Sequence, residues 1–206
     1  ITADLAERVA PGRVTGLDTE AAMVERAAAV AAERGLSTVE FVVGDVLALG
    51  FPDASFDVVH AHQVLQHVAD PVGALREMRR VCRPGGYVAA RDGDYGAFVW
   101  YPDDPGLDAW RDLYRRVARL NGGEPDAGRR LLHWAQQAGF SEVVASGSVT
   151  FHATPEARQA WGLTWAERIV ATRIADVAVA NGLSTPDELA AMADAWRRWA
   201  QAPDGW

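Results

Sequence analysis

The stretch GDVLALGFPDASFDVVHAHQVLQHV, Gly44 to Val68, decides the fold. It leaves an apolar run, VEFVV, and places an acid, Asp45, directly after a glycine. A turn segment follows, Pro52-Asp53-Ala54-Ser55. The chain then returns on a second apolar run, FDVVHAHQV, in a stretch that holds three histidines and two glutamines. Short apolar runs bounded by turn signals read as strands buried on both faces.

Outward from there the alternation continues. RVTGLD, upstream, is another short apolar run ending in an acid, Asp18. TEAAMVERAAAVAAERG between them predicts a helix opened by an N-cap Thr19 and stopped at Gly35. ITADLAERVAP predicts a short amphipathic helix ending before Pro11. DPVGALREMRRVCRPGG predicts a helix capped by Asp70, with Pro71 in first position, closed by Pro84-Gly85-Gly86 before a strand, YVAARDGD. Strands alternating with helices predict an α/β fold, a doubly wound, mostly parallel Rossmann-like sheet with helices on both faces.

The second half changes character. All eight tryptophans lie from Trp100 onward. GLDAWRDLYRRVARL, DAGRRLLHWAQQAG, TPEARQAWGLTWAERIVATRIADVAVANG and STPDELAAMADAWRRWAQ read as helical, with EVVASGSVTFHA as a late strand of the core sheet. The expected division is therefore a core over residues 1–94 and a helical lid or substrate region over 95–206, the late strand returning to the core. Trp100, Tyr101, Trp110, Trp161 and Trp165 are candidates for lining an apolar acceptor pocket. Aromatics at helical spacing more often form core, so mixed duty is expected.

Composition narrows the function. A net charge of -8 argues against a nucleic-acid partner and against docking on an anionic membrane. No apolar run reaches the roughly 18 residues that span a bilayer. The single cysteine, Cys82, excludes an internal disulfide framework, and a reducing cytoplasm is the expected compartment. His60, His62 and His67 lack matching carboxylate or cysteine spacing, so no metal site is assigned. His60 reads as structural, while His62 and His67 border the expected pocket.

Asp18 and Asp45 end consecutive strands, where ligands of such sheets bind. Either also reads as a local device, Asp18 as a helix cap and Asp45 as a turn residue. With VTGLDTEAAM, VEFVVGDVLALGFPDASFDVVHAHQVLQHV and ALREMRRVCRPGGYV in this order and spacing, the chain resembles class I S-adenosylmethionine-dependent methyltransferases over Ile1 to Asp92. More narrowly, it resembles the small-molecule branch related to quinone-biosynthesis enzymes. The resemblance implies S-adenosyl-L-methionine as cofactor. Asp18 would take the ribose hydroxyls, with Thr19 and Met23 against the adenine or ribose. Asp45 would take the adenine amino group and the Val46 N–H a ring nitrogen, with Gly44 relieving crowding beside the base. His62 and Gln63 would meet the methionine part. His67 and Asp94 are the candidate proton acceptors, with Asp92 and Tyr95 near Asp94.

The family's Gly-x-Gly-x-Gly loop and the strand before it are not found, so residues are expected to precede Ile1 in the natural protein. The expected activity is methyl transfer to a small apolar or aromatic acceptor, by a monomer or homodimer. Two rivals stand beside it: a non-catalytic methyltransferase-like partner protein, and a nicotinamide-dependent oxidoreductase. The latter lacks a Ser/Tyr/Lys set here.

Overall fold

The computed structural model describes residues 1–206. In chain order the elements are α1 (Thr2–Val9), β1 (Val14–Asp18), α2 (Ala21–Glu33), β2 (Val39–Val43), β3 (Phe56–His62), α3 (Pro71–Val81) and β4 (Cys82–Arg91). They continue with α4 (Pro105–Leu120), α5 (Leu131–Gln137), α6 (Pro155–Ala171), α7 (Arg173–Ala180) and α8 (Pro186–Gln201). The chain falls into two compact units, Ile1–Val59 with Gly73–Val88, and His60–Val72 with Ala89–Trp206. The expected division lies at residue 94; in the structure residues 60–72 and 89–94 belong with the C-terminal helices.

In the first unit β1 and β2 pair in parallel, Val14 beside Val39 and Asp18 beside Val43. Gly16 sits in this ladder because any Cβ there would fall 2.6 Å from the Phe41 ring. The loop after β2 is held from α3. Arg80 donates to the Leu49 and Phe51 carbonyls at 2.7 and 2.8 Å, and to Asp53 at 2.8 Å. Glu77 grips the same guanidinium and also accepts from the Leu49 N–H. The GFPDASFD segment is therefore a fixed loop.

β3 and β4 form a second two-stranded sheet. Asp57 lies beside Gly86, where a Cβ would fall 2.5 Å from the Asp57 carbonyl, and the Gln63 N–H donates to the Arg91 carbonyl. Both strands thus advance in the same direction. The helix expected to run to Pro84-Gly85-Gly86 stops at Val81, and β4 begins at Cys82. Gly86 serves the close approach of two strands rather than a helix stop. The fold class is α/β and Rossmann-like, with parallel strands.

The second unit is built around aromatic helix packing. Trp110, Trp165 and Trp196 are fully buried, with Trp110 edge-on to Trp165 at 4.6 Å and to Trp196 at 4.7 Å. Leu107, Leu113, Val117, Ile169 and Leu189 complete this core. Trp110 and Trp165 are therefore core residues, Trp100 and Trp161 pack partly buried against them, and Tyr101 is exposed. The long helical region from 155 breaks at Thr172, whose hydroxyl caps α7 by accepting from the Ile174 N–H. Residues 143–153 form no strand. Their β-branched composition supplies propensity, but no neighbouring strand supplies a ladder.

α8 opens with a capping box. The Thr185 hydroxyl accepts from the Glu188 N–H, and the Glu188 carboxylate accepts from the Thr185 N–H at 2.8 Å. Thr185→Ala removes one half of this pair and is expected to cost about 1 kcal/mol, read from the urea midpoint. An unchanged midpoint would mean that packing alone holds the start of α8.

Candidate functional site

Both strand-end acids of the first unit have the same local geometry. Asp18 Oδ1 accepts from the Glu20 N–H at 2.9 Å, and Asp45 Oδ1 accepts from the Leu47 N–H at 2.9 Å. Each carboxylate spends one oxygen two residues ahead, an Asx turn that fixes its loop, and leaves Oδ2 without a protein partner. Thr19, expected to cap α2, does not: the cap position is Glu20, without a side-chain bond, and Asp18 ties down this end instead.

The two acids stand at neighbouring strand ends. Asp18 faces Val43 in register, and its carbonyl accepts from the Gly44 N–H at 3.0 Å. Asp45 is the next residue on. At Gly44 a Cβ would fall 2.7 Å from the Leu17 side chain. The glycine is needed for packing against β1, whatever lies beyond it. The Val46 N–H makes no hydrogen bond within the protein. Asp18 and the half-exposed Met23 share a small cleft of about 90 Å³ with Gly16 and Phe41. Asp45, Val46 and Thr19 do not line it.

In the second unit the expected residues have other partners. His62 Nε2 lies 2.7 Å from Arg91 Nη1. A guanidinium only donates, so this nitrogen accepts and the ring proton is on Nδ1. Partial burial, then the charge on Arg91, lowers the His62 pKa. Gln63 follows the end of β3 with φ of 55°, an unusual backbone for a non-glycine residue, and its side chain is exposed. Asp94 is held in a fork by Arg129 Nε and Nη2, both at 2.7 Å, which occupies the two oxygens a proton acceptor needs.

Asp92, expected beside Asp94 as one of the acids that could assist deprotonation, is singled out by burial. Asp92 Oδ1 accepts from the Gln66 N–H at 3.0 Å, while Oδ2 is shielded and has no partner. Burial raises its pKa to about 6, against the Gln66 and Leu65 N–H groups that lower it. His67 lies beside it through Gln66: Gln66 Nε2 is 3.0 Å from His67 Nε2. One side of His67 is packed against protein and the other is exposed; that packing, then the charge on Arg168, lowers its pKa. Tyr95 is stacked on Phe98 and Tyr114, and burial pushes its hydroxyl well above the usual tyrosine range.

Loop 123–128 fixes this cluster. The Glu124 N–H donates to the Gln66 carbonyl, the Tyr95 N–H to the Pro125 carbonyl and the Gly128 N–H to the Gly93 carbonyl. Asp126, buried, accepts from the Gly96 N–H at 2.7 Å and from Arg115 and Arg119, each at 2.6 Å. A larger cleft of about 540 Å³ lies among α6, α7 and α8. Apart from Asp176 its lining has no titratable group, so it offers no proton chemistry.

Parallel strands, with α2 after β1 and α3 after β3, define a Rossmann-like α/β protein, a fold class in which ligands bind at the carboxyl ends of strands. Residues 1–90 match the family described as methyltransferase domain. An uncharacterized methyltransferase of Schizosaccharomyces pombe is 31% identical over 219 residues, covering 100% of this chain and 76% of that protein. A demethylmenaquinone methyltransferase of Listeria monocytogenes is 34% identical over 116 residues, 56% of this chain. The chain spans only 45% of that enzyme's length. Among solved structures, the [4+2]-cyclase SpnF superposes over 98% of this chain and 67% of its own with a TM-score of 0.53 at 24% identity. A SAM-dependent methyltransferase from Aquifex aeolicus does so over 66% of this chain and 63% of its own with a TM-score of 0.50 at 20% identity. At those identities the structures speak for the fold. The chain belongs to the class I S-adenosylmethionine-dependent methyltransferases, which makes it an enzyme by family. No helix is long and apolar enough to cross a membrane.

Proposed function

We propose that the protein transfers the methyl group of S-adenosylmethionine to a small apolar or aromatic acceptor. One observation carries the cofactor assignment. At adjacent strand ends Asp18 and Asp45 each keep one unpaired carboxylate oxygen, and beside Asp45 the Val46 N–H is unpaired. A carboxylate that accepts from two hydroxyls suits a ribose. An acceptor next to a backbone donor suits the amino group and ring nitrogen of adenine. The donor set thus fits the nucleoside. Asp18 would hold the sugar, with Thr19 and Met23 against it, and Asp45 with Val46 would hold the base. His62 and Gln63 remain the proposed ligands of the methionine part.

When bound, S-adenosylmethionine supplies an activated sulfonium methyl. The protein's part is to hold the acceptor in line, exclude water and receive the acceptor's proton. His67 is the proposed proton acceptor in place of Asp94, whose oxygens Arg129 holds. The demethylmenaquinone methyltransferase relative supports a small acceptor of that general kind.

Calorimetric titration of the full-length protein with S-adenosylhomocysteine, and separately with NADH, tests this reading. Saturable binding of the first alone is expected. Binding of NADH alone would favour the oxidoreductase, and binding of neither by a folded protein would favour a non-catalytic partner. Asp45→Ala is expected to weaken S-adenosylhomocysteine about 10-fold or more, since a hydrogen bond to a charged group contributes roughly 1.5–3 kcal/mol.

A further inference from the structure

Gln66 touches two titratable groups, Asp92 through its backbone N–H and His67 through its side chain, and two buried acceptors on Gln66 and Asp92 lack donors. Gln66 is 4% exposed, yet its Oε1 has no partner. Asp92 Oδ2 is in the same condition. The two residues already touch, through the Gln66 N–H on Asp92 Oδ1. Gln66 Oε1 also lies 3.4 Å from where a Cβ on Gly93, the neighbour of Asp92, would stand. At its other end the carboxamide presents Nε2 to His67 Nε2 at 3.0 Å. Buried polar atoms of this kind are almost always paired, so two orphans on residues already joined by one hydrogen bond need a reason.

The reason follows from donor and acceptor bookkeeping. An amide nitrogen only donates, so in the orientation seen here His67 Nε2 accepts and the imidazole proton is on Nδ1. His67 then offers a donor to the outside and has no free lone pair. That orientation is satisfied at the other end if Asp92 carries a proton on Oδ2 and donates it to Gln66 Oε1. A half-turn of the carboxamide exchanges its ends at almost constant shape. The NH2 group then serves an ionised Asp92, Oε1 accepts from His67 Nε2–H, and His67 Nδ1 keeps a lone pair. Each state offers both orphans a complementary partner, and the two states differ in which ring nitrogen of His67 is the base.

We propose that Gln66 couples Asp92 to His67, so that ionised Asp92 turns the carboxamide and leaves His67 Nδ1 free to accept a proton from an O–H or N–H acceptor. Asp92 and Gln66 are positioning residues in this arrangement, and His67 is the group that meets the substrate. As the acceptor's heteroatom takes the methyl, its O–H or N–H bond breaks and the proton adds to the Nδ1 lone pair. The electron pair of the old C–S bond stays on sulfur. The role of His67 in catalysis rests on the methyl-transfer reading; the coupling itself does not.

The surroundings set the range of pH. Asp92 faces the Gln66 and Leu65 N–H groups, and burial brings its titration to about 6. His67 faces Gln66 and the positive charge of Arg168 on α6, both of which suit the neutral ring. Tyr95 is the other ionisable group packed near, and burial pushes its hydroxyl far above the usual tyrosine range, so it stays neutral. Above about pH 6 an ionised Asp92 and a neutral His67 therefore coexist, the condition for the base form.

Ring-nitrogen NMR of the whole protein reads the tautomer directly, whether or not any methyl is transferred. At about pH 8, well above the Asp92 titration, the wild type is expected to show His67 protonated on Nε2. Asp92→Asn keeps an oxygen for the Gln66 N–H and puts a donor where Oδ2 stood, so it imitates the protonated acid. Its His67 is expected to be protonated on Nδ1. Wild-type His67 protonated on Nδ1 at that pH, or one tautomer in both proteins, would overturn the coupling. Should Asp92→Asn fail to fold, Gln66→Glu serves, because a carboxylate at 66 can only accept from His67. That variant is expected to hold the proton on Nε2 and raise the His67 pKa; a proton on Nδ1 there would contradict the proposal. A correct tautomer pattern in a protein that does not bind S-adenosylhomocysteine would defeat the methyl-transfer reading and leave the coupling standing.

Discussion

Asp126→Ala is expected to lose roughly 3–5 kcal/mol of stability, because truncating a buried charge leaves its partners uncompensated. The Asp126 side chain is 4% exposed and serves two guanidiniums and one backbone N–H. Arg115 and Arg119 are partly exposed and can turn to water, which favours the lower end of the range. The Gly96 N–H loses its acceptor as well. Denaturant unfolding followed by circular dichroism measures the loss; a change below about 1 kcal/mol would class the cluster with ordinary surface ion pairs. The pH dependence has a definite sign. Burial works to raise the Asp126 pKa, but Arg115, Arg119 and the Gly96 N–H outweigh it, and the net shift is downward. Its contribution is therefore present above the ordinary carboxylate range of about 4 and is lost as pH falls through the lower folded value. The variant should show a flatter acid limb than the wild type.

Asp18→Asn is expected to weaken S-adenosylhomocysteine roughly 10- to 100-fold, the equivalent of one or two charge-assisted hydrogen bonds to a diol. Asparagine keeps an oxygen for the Glu20 N–H, so the turn into α2 survives and the melting temperature should not move. Asp18→Ala should lose the same affinity and also loosen the start of α2. If calorimetry gives wild-type affinity for Asp18→Asn, the carboxylate is only a turn residue and the ribose lies elsewhere.

Much of this was legible in local sequence pattern. α6 and α8 each open on a Thr-Pro pair, a cap and a first-turn proline that are neighbours in sequence. Asp18 and Asp45 were readable as strand-end acids for the same reason. What escaped was what distant residues decide. EVVASGSVTFHA has the composition of a strand but no ladder partner, and Cys82 to Gly86 belongs to a strand because Asp57 lies alongside. Asp92 and Asp94 are indistinguishable in RDGDYG: one glycine separates them. Only the fold sends Asp94 out to Arg129 and Asp92 in to Gln66, which is 26 residues away. The Arg80 clamp on the GFPDASFD loop was invisible for the same reason, since its partners lie across about thirty residues of chain.

The most direct test of the account is an amide NMR titration of the full-length protein with S-adenosylhomocysteine. The backbone N–H groups of Glu20, Val46 and Leu47 stand beside the two free carboxylate oxygens and should shift together and saturate. Absence of binding, or saturable shifts that leave all three amides unmoved, would contradict the claim that Asp18 and Asp45 hold the nucleoside.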